Sequence, residues 1–273
     1  MSTSYTQAPP GYGTATPPKH FQDEAAEPLL AAGPSTAAAA ARQFADIPDD
    51  FKYGVSVAES AIEIRLAFIR KVYSILSVQI LATAIVSGLV AHSPSTIGWV
   101  QENPWIVLVT TVFTLINLGV LYWKRHAHPA NLILLGTFTA VEAFTVGIIV
   151  AFYDTKIVLQ ALLITLGIFG SLTLYTLQSK HDFSGLGPYL FGGLVALLTT
   201  GLVSMFFPFN ANFELIYATG GAIIFSGYVV FDTQMITSRL SADEYIFGAI
   251  SLYLDFINLF LNILRILNNV ENR

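Results

Sequence analysis

The chain has 273 residues, 54% of them hydrophobic and only 11% charged, with a net charge of −5 and no cysteine. A soluble domain carries about 25% charged residues, so too little charge is present to coat a water-facing surface, and the mean hydropathy of +0.62 agrees. Disulfides, thiolate metal sites and cysteine nucleophiles are excluded, and neither the net charge nor any basic run points to nucleic acid.

Residues 1–55 read as a disordered Pro/Ala-rich tail. Pro9-Pro10-Gly11 and Pro17-Pro18 break helices, and the Ala37–Ala41 run is too short to hold one in water. Within it, Glu27-Pro28-Leu29-Leu30 is similar to an acidic dileucine sorting signal with its acids out of register. Residues 56–70 place Val57, Ile62, Leu66 and Ile69 at helical spacing among charges, the pattern of an amphipathic helix at a membrane surface. No cleavable signal peptide is expected, because the first long apolar run starts only near Val72.

Residues 71–270 then carry seven apolar stretches of about 20 residues, the length that crosses ~30 Å of hydrocarbon. They are predicted near 71–91, 105–123, 131–153, 157–177, 187–207, 214–236 and 246–267. Trp99, Trp105 and Trp123 fall at or beside span ends, where indole rings favour the interface. The predicted fold is an all-α integral membrane bundle with the lipid bilayer as its solvent. Arg65, Arg70, Lys71, Lys124, Arg125, Lys180 and Arg239 fall on one side and Lys156 alone on the other, which predicts a cytoplasmic amino terminus. The last segment, read as the most polar, leaves open a re-entrant turn that would return the carboxyl terminus inside.

Three carboxylates stand inside the spans: Glu142, Asp232 and Asp255. An ionised carboxylate at mid-membrane costs at least ~3 kcal/mol on insertion scales, so each needs a partner, water or a proton. Glu142 fits a polar path, a basic partner, or a single protonated acid donating one interhelical hydrogen bond. Asp255, Asn258, Asn262 and Arg265 are spaced by 3, 4 and 3 on one helix face among apolar residues. Such a face turns to the bundle interior or a water-filled path, as an ion track or as polar glue between helices. Asp232, near the end of span six, precedes a short loop to the antiparallel span seven, so Asp232 and Asp255 fall at similar depth. Should they meet in low dielectric, one proton is shared between them. Such a pair can sense pH or hold a cation, and its oxygens suit Ca²⁺ or a proton rather than a soft metal.

The motifs carry a resemblance. Phe68-Ile69-Arg70-Lys71-Val72-Tyr73, Asp182-Phe183-Ser184-Gly185-Leu186-Gly187, Phe231-Asp232-Thr233-Gln234 and the stretch from Asp243-Glu244-Tyr245 to Leu254-Asp255-Phe256-Ile257-Asn258 resemble, in order, the transmembrane Bax-inhibitor-motif family in its Lifeguard branch. The resemblance spans roughly residues 65–270. It implies a seven-helix fold whose last helix is enclosed by the other six, and a pH-sensitive calcium leak of intracellular membranes that restrains cell death. It maps a two-aspartate sensor onto Asp232 and Asp255, with Ca²⁺ as permeant ion in transient contact with the pair, cell-death regulators as partners and no cofactor. It also favours the endoplasmic reticulum, whereas the dileucine-like tail hints at a vacuolar or Golgi route. Some members carry an arginine latch in the second span; here that span holds only Asn117, which leaves Arg265 or Glu142 to alter the gating.

Competing readings are a non-conducting scaffold for cell-death regulators or other channels, a proton-coupled transporter, and an enzyme. The enzyme reading fares poorly. Phe225-Ser226-Gly227 follows Ile224 where a membrane serine protease needs glycine, no histidine follows His181, and the last span has no lysine for retinal. His126 and His128 beside Pro129 read as part of a positive loop rather than as zinc ligands.

Overall fold

The computed structural model describes Val57, residues 62–208 and residues 210–272. The expected tail, its dileucine-like motif and most of the start of the lead-in helix lie outside them. The described residues form eight helices: α1 (Ile62–Ala91), α2 (Pro94–Glu102), α3 (Trp105–Trp123), α4 (Ala130–Val150), α5 (Thr155–Gln178), α6 (Gly187–Phe206), α7 (Ala211–Ser238) and α8 (Tyr245–Glu271). All but α2 are long and apolar enough to cross a membrane, the sixth counted with the 3₁₀ turn Ser184–Leu186 ahead of it. The protein is a multi-pass membrane bundle.

Helix boundaries follow local chemistry. Asp154 caps α5 by accepting from Lys156 N–H at 2.7 Å, and Asn210 caps α7 by accepting from Phe213 N–H at 2.9 Å. Pro104 and Pro129 stand immediately before α3 and α4, where a missing N–H costs nothing. The described part of the lead-in segment runs without a break from Ile62 into the first span as one 30-residue helix. The short helix α2 was not expected from the sequence; Ser93 at its start accepts from Thr96 N–H, and Pro94 occupies its first turn.

The fold is arranged around α8. In its most apolar window 72% of residues are buried inside the protein, against 11% for α3 and 6% for α6, whose Leu and Val side chains face outward to lipid. α8 packs along α7 and against α1, α4 and α5; α1 packs on α4, α4 on α3, and α7 on α5 and α6. Tyr253, Phe256, Leu252 and Leu259 of α8 are among the largest fully enclosed side chains. Phe138 of α4 and Phe169 of α5 meet Tyr253 and Phe256 edge to face, at ring-centroid distances of 5.9 and 5.5 Å. Interhelical hydrogen bonds add polar glue: Gln79 Nε2 donates to Thr139 Oγ1 at 2.9 Å, and Thr83 and Tyr253 share their hydroxyls at 2.8 Å.

Two expectations change. The least apolar of the seven spans is α7, whose 18-residue window has a mean hydropathy of 1.5 against 1.7 for α8, because the Gly220-Gly221 pair, Ser226, Gly227 and the acids near its two ends dilute its apolar residues. The last segment is also no re-entrant turn: α8 continues unbroken through 27 residues, about 40 Å of helix. Near its far end Asn269 Nδ2 donates to the carbonyl of Ala211 at the opposite end of α7, at 3.0 Å.

Candidate functional site

Helical spacing builds the site. On α7, Glu214, Tyr217, Gly221, Phe225, Tyr228 and Asp232 recur every three or four residues and form one face. On α8, Asp255, Asn258, Asn262 and Arg265 form another. Where these faces look past each other towards α3, α4 and α6, a cavity of about 610 Å³ opens inside the spans. Its walls include Glu142, Tyr228, Asp232, Asp255, Asn258, Asn262 and Arg265 among leucines of α3 and α6. Every candidate residue from the sequence therefore borders one space.

Asp232 and Asp255 meet there, their carboxyl groups at hydrogen-bonding contact across the α7–α8 interface. Asp255 is buried and Asp232 half-buried. No N–H or hydroxyl among the described residues donates to Asp255 Oδ2, although that atom is sealed from solvent. A carboxylate has only acceptors, so two carboxyls in contact need a proton between them. Tyr228, one turn before Asp232, lines the same cavity and is close enough to feel the charge of both acids. It was not singled out from the sequence, although it stands four residues before Asp232 on the same helix face.

The other candidates fall into place differently. Asn258 and Asn262 each donate to a carbonyl four residues back on α8, at 2.9 and 2.8 Å, which leaves their oxygens turned elsewhere. The buried Asn262 Oδ1 accepts nothing among the described residues. It packs against Gly221, where any side chain on α7 would collide with it. Glu142 makes no hydrogen bond or ion pair among the described residues; it stands half-buried on the α4 wall of the cavity. The expectation of one wholly buried face fails at Arg265, which is exposed and lies between this cavity and a second one of about 410 Å³ lined by Tyr153, Ser204, Glu214, Asn268 and Asn269. The reason is local: Arg265 borders the space where the two cavities adjoin, while Ile263 and Leu264 beside it stay buried and Asn269, further along α8, still meets α7.

Two acids are too few to be a resident metal centre, since Ca²⁺ takes 6–8 oxygens. No cluster of three or more acidic, histidine or cysteine side chains with metal-binding geometry exists among the described residues.

At the end of the bundle where α7 turns into α8, polar side chains fasten the loops. Gln234 Nε2 donates to Asp182 Oδ1 at 2.8 Å, and its Oε1 accepts from Phe183 N–H. The Ser184 backbone N–H, with the Ser184 hydroxyl and the Gln234 amide, holds the Asp182 carboxyl below the usual carboxylate range. His126 Nδ1 lies 2.8 Å from Asp243, and Arg125 Nε 3.6 Å from Glu244, so the basic loop after α3 is tied to the α7–α8 turn. Motif residues Phe231-Asp232-Thr233-Gln234 and Asp182-Phe183 thus meet in space.

The family described as Inhibitor of apoptosis-promoting Bax1 matches residues 65–272. The chain belongs to this family. Among curated proteins it is similar to "Protein lifeguard 4" of Mus musculus, 44% identical over 230 residues that cover 83% of this chain and 95% of the relative. It is also similar to "Bax inhibitor 1" of Schizosaccharomyces pombe, 40% identical over 253 residues (92% and 95%), and to the "Golgi anti-apoptotic protein" of vaccinia virus, 41% identical over 227 residues (83% and 95%). In this Bax inhibitor family member, all the polar span residues singled out above lie within the matched region.

Proposed function

We propose that the protein is a pH-sensitive calcium leak of intracellular membranes that restrains cell death. The observation that carries the reading is the Asp232–Asp255 contact on the wall of a cavity of about 610 Å³ within the spans. Two carboxyls that share one proton carry a single negative charge; losing that proton leaves two, and protonating both leaves none. Protons and Ca²⁺ therefore compete for the same oxygens, and flux follows the charge of the pair. The second cavity, which shares Tyr217 and Arg265 with the first, extends a polar route towards the far end of α8. The names of the Lifeguard, Bax inhibitor and Golgi anti-apoptotic relatives support the cell-death role. A cytoplasmic amino terminus and an endoplasmic reticulum or Golgi membrane complete the reading, from the Lys/Arg asymmetry and the viral relative's name.

The test is Ca²⁺ entry into liposomes that hold the purified full chain, measured from pH 5 to 8 (about the range in which a shared proton is exchanged). A pH-dependent flux that becomes pH-independent in Asp232→Asn and Asp255→Asn is expected. Flux whose pH profile survives both substitutions removes the sensor. No Ca²⁺ flux at any pH removes the leak and leaves a non-conducting scaffold.

A further inference from the structure

A third cavity, of about 440 Å³, lies between α3 and α8. Leu115, Leu118, Gly119 and Tyr122 of α3 face Phe247, Ile250, Ser251 and Leu254 of α8 across it, and Arg125 closes its end. The helices run antiparallel here, with Tyr122 and Phe247 in an edge-to-face contact at 6.1 Å. The cavity continues into the carboxylate cavity through the shared Leu115, Leu118, Ser251 and Leu254. Its character is opposite, since Ser251 and Arg125 are its only residues that are neither apolar nor aromatic. A bare ion gains nothing from such a surface.

We propose that this groove seats one acyl chain of an anionic membrane phospholipid, with the headgroup on Arg125. Three observations point to that occupant. Leu115, Gly119 and Tyr122 are exposed on the outer side of α3, so the groove is open to the surrounding hydrocarbon along its length as well as joined to the carboxylate cavity at one end. A methyl group at Gly119 would meet nothing within 4 Å, so the glycine leaves a slot rather than a close helix contact. From Leu115 to Arg125 the wall runs about 15 Å along the bundle axis, long enough for most of one acyl chain. Charge then selects the headgroup. The Arg125 guanidinium stacks 4.4 Å over the Tyr122 ring; its Nε donates to His126 and lies 3.6 Å from Glu244, while its two terminal nitrogens make no hydrogen bond among the described residues and are left for a phosphate. Lys124 stands beside it over Trp123. Basic side chains at the cytoplasmic end of a crevice between spans match the anionic lipids of that leaflet. The assignment takes from the proposed function only its orientation and does not depend on Ca²⁺ conduction.

The experiment is photolabelling of the full chain in phosphatidylcholine vesicles doped with phosphatidylserine carrying a diazirine in one acyl chain, against the same probe with a choline headgroup. Adducts are expected on α3 between Leu115 and Tyr122 and on α8 between Phe247 and Leu254. The serine lipid should be preferred about five-fold, the worth of one basic side chain near a charged leaflet. Arg125→Gln should erase the preference and Arg125→Lys keep it. Gly119→Phe, which fills the slot, should remove the groove adducts while labelling of the outward leucines of α6 persists. Adducts spread evenly over all outward leucines, or groove adducts indifferent to both headgroup and Gly119→Phe, overturn the proposal. None of these readouts measures ion flux, so a failed calcium assay leaves them standing.

Discussion

Gly220 and Gly221 are neighbours on α7, yet alanine at the two positions should act with opposite sign. In a helix interior alanine is favoured over glycine by about 1 kcal/mol. A Cβ at Gly220 meets nothing within 4 Å, so Gly220→Ala should be neutral or stabilising by up to that amount. A Cβ at Gly221 would lie 2.7 Å from Asn262 Cγ and 2.9 Å from its Nδ2. The amide is held by its hydrogen bond to the Asn258 carbonyl at 2.8 Å, so moving it aside loses that bond, worth about 1 kcal/mol. Forcing a methyl into packed space adds about 1–3 kcal/mol. Net of the helix gain, Gly221→Ala should destabilise by about 1–3 kcal/mol. Equilibrium unfolding in mixed micelles measures each variant, and a double-mutant cycle with Asn262→Ala isolates the contact. Removing the amide vacates the space, so the double variant should recover at least about 1 kcal/mol relative to additivity. Equal stability of the two alanine variants, or strict additivity with Asn262→Ala, would refute the close approach of α7 and α8 at this point.

Asn117 Nδ2 donates to Thr137 Oγ1 at 2.8 Å between α3 and α4, while the buried Asn117 Oδ1 has no donor among the described residues. Thr137→Val should therefore cost about 1–3 kcal/mol by stranding the amide, whereas Asn117→Leu with Thr137→Val should be nearly neutral in the same unfolding assay. Asp182, with its lowered folded value, contributes fully above the unfolded carboxylate range of about 4 and loses that contribution only as pH falls through the lower value. Asp182→Asn should thus leave the pH profile of the proposed calcium flux unchanged near neutrality while speeding hydrogen exchange at the Phe183 amide.

The seven spans were legible because lipid leaves one solution: long apolar runs whose backbone groups are satisfied within the helix. Their ends moved by a few residues where Asp154 and Asn210 cap. The polar faces were legible too, since a spacing of three and four survives any detail of packing. Helix α2 was missed because nine residues are too few to span a membrane and its opening Ser93-Pro94-Ser95 reads as a turn. Arg265 was placed on a buried face because spacing fixes the side of a helix but not whether that side meets packed atoms or an open cavity. Tyr228 and Tyr217 were overlooked for a different reason: tyrosine reads as apolar in a span, and only three dimensions reveal that both line the cavities.

The enclosure of α8 has a consequence for how the bundle is made. Asp255, Asn258, Asn262 and Arg265 are poor company for lipid, and a helix carrying them gains little by entering a bilayer alone. Their hosts are α1, α4, α5 and α7, all of which precede α8 in the chain. During synthesis the receptacle is thus complete before its occupant emerges. Losing α8 would leave Asp232 without its counterpart and the cavity without a wall. Assembly order and site formation are one event, finished only when the last helix slides into place.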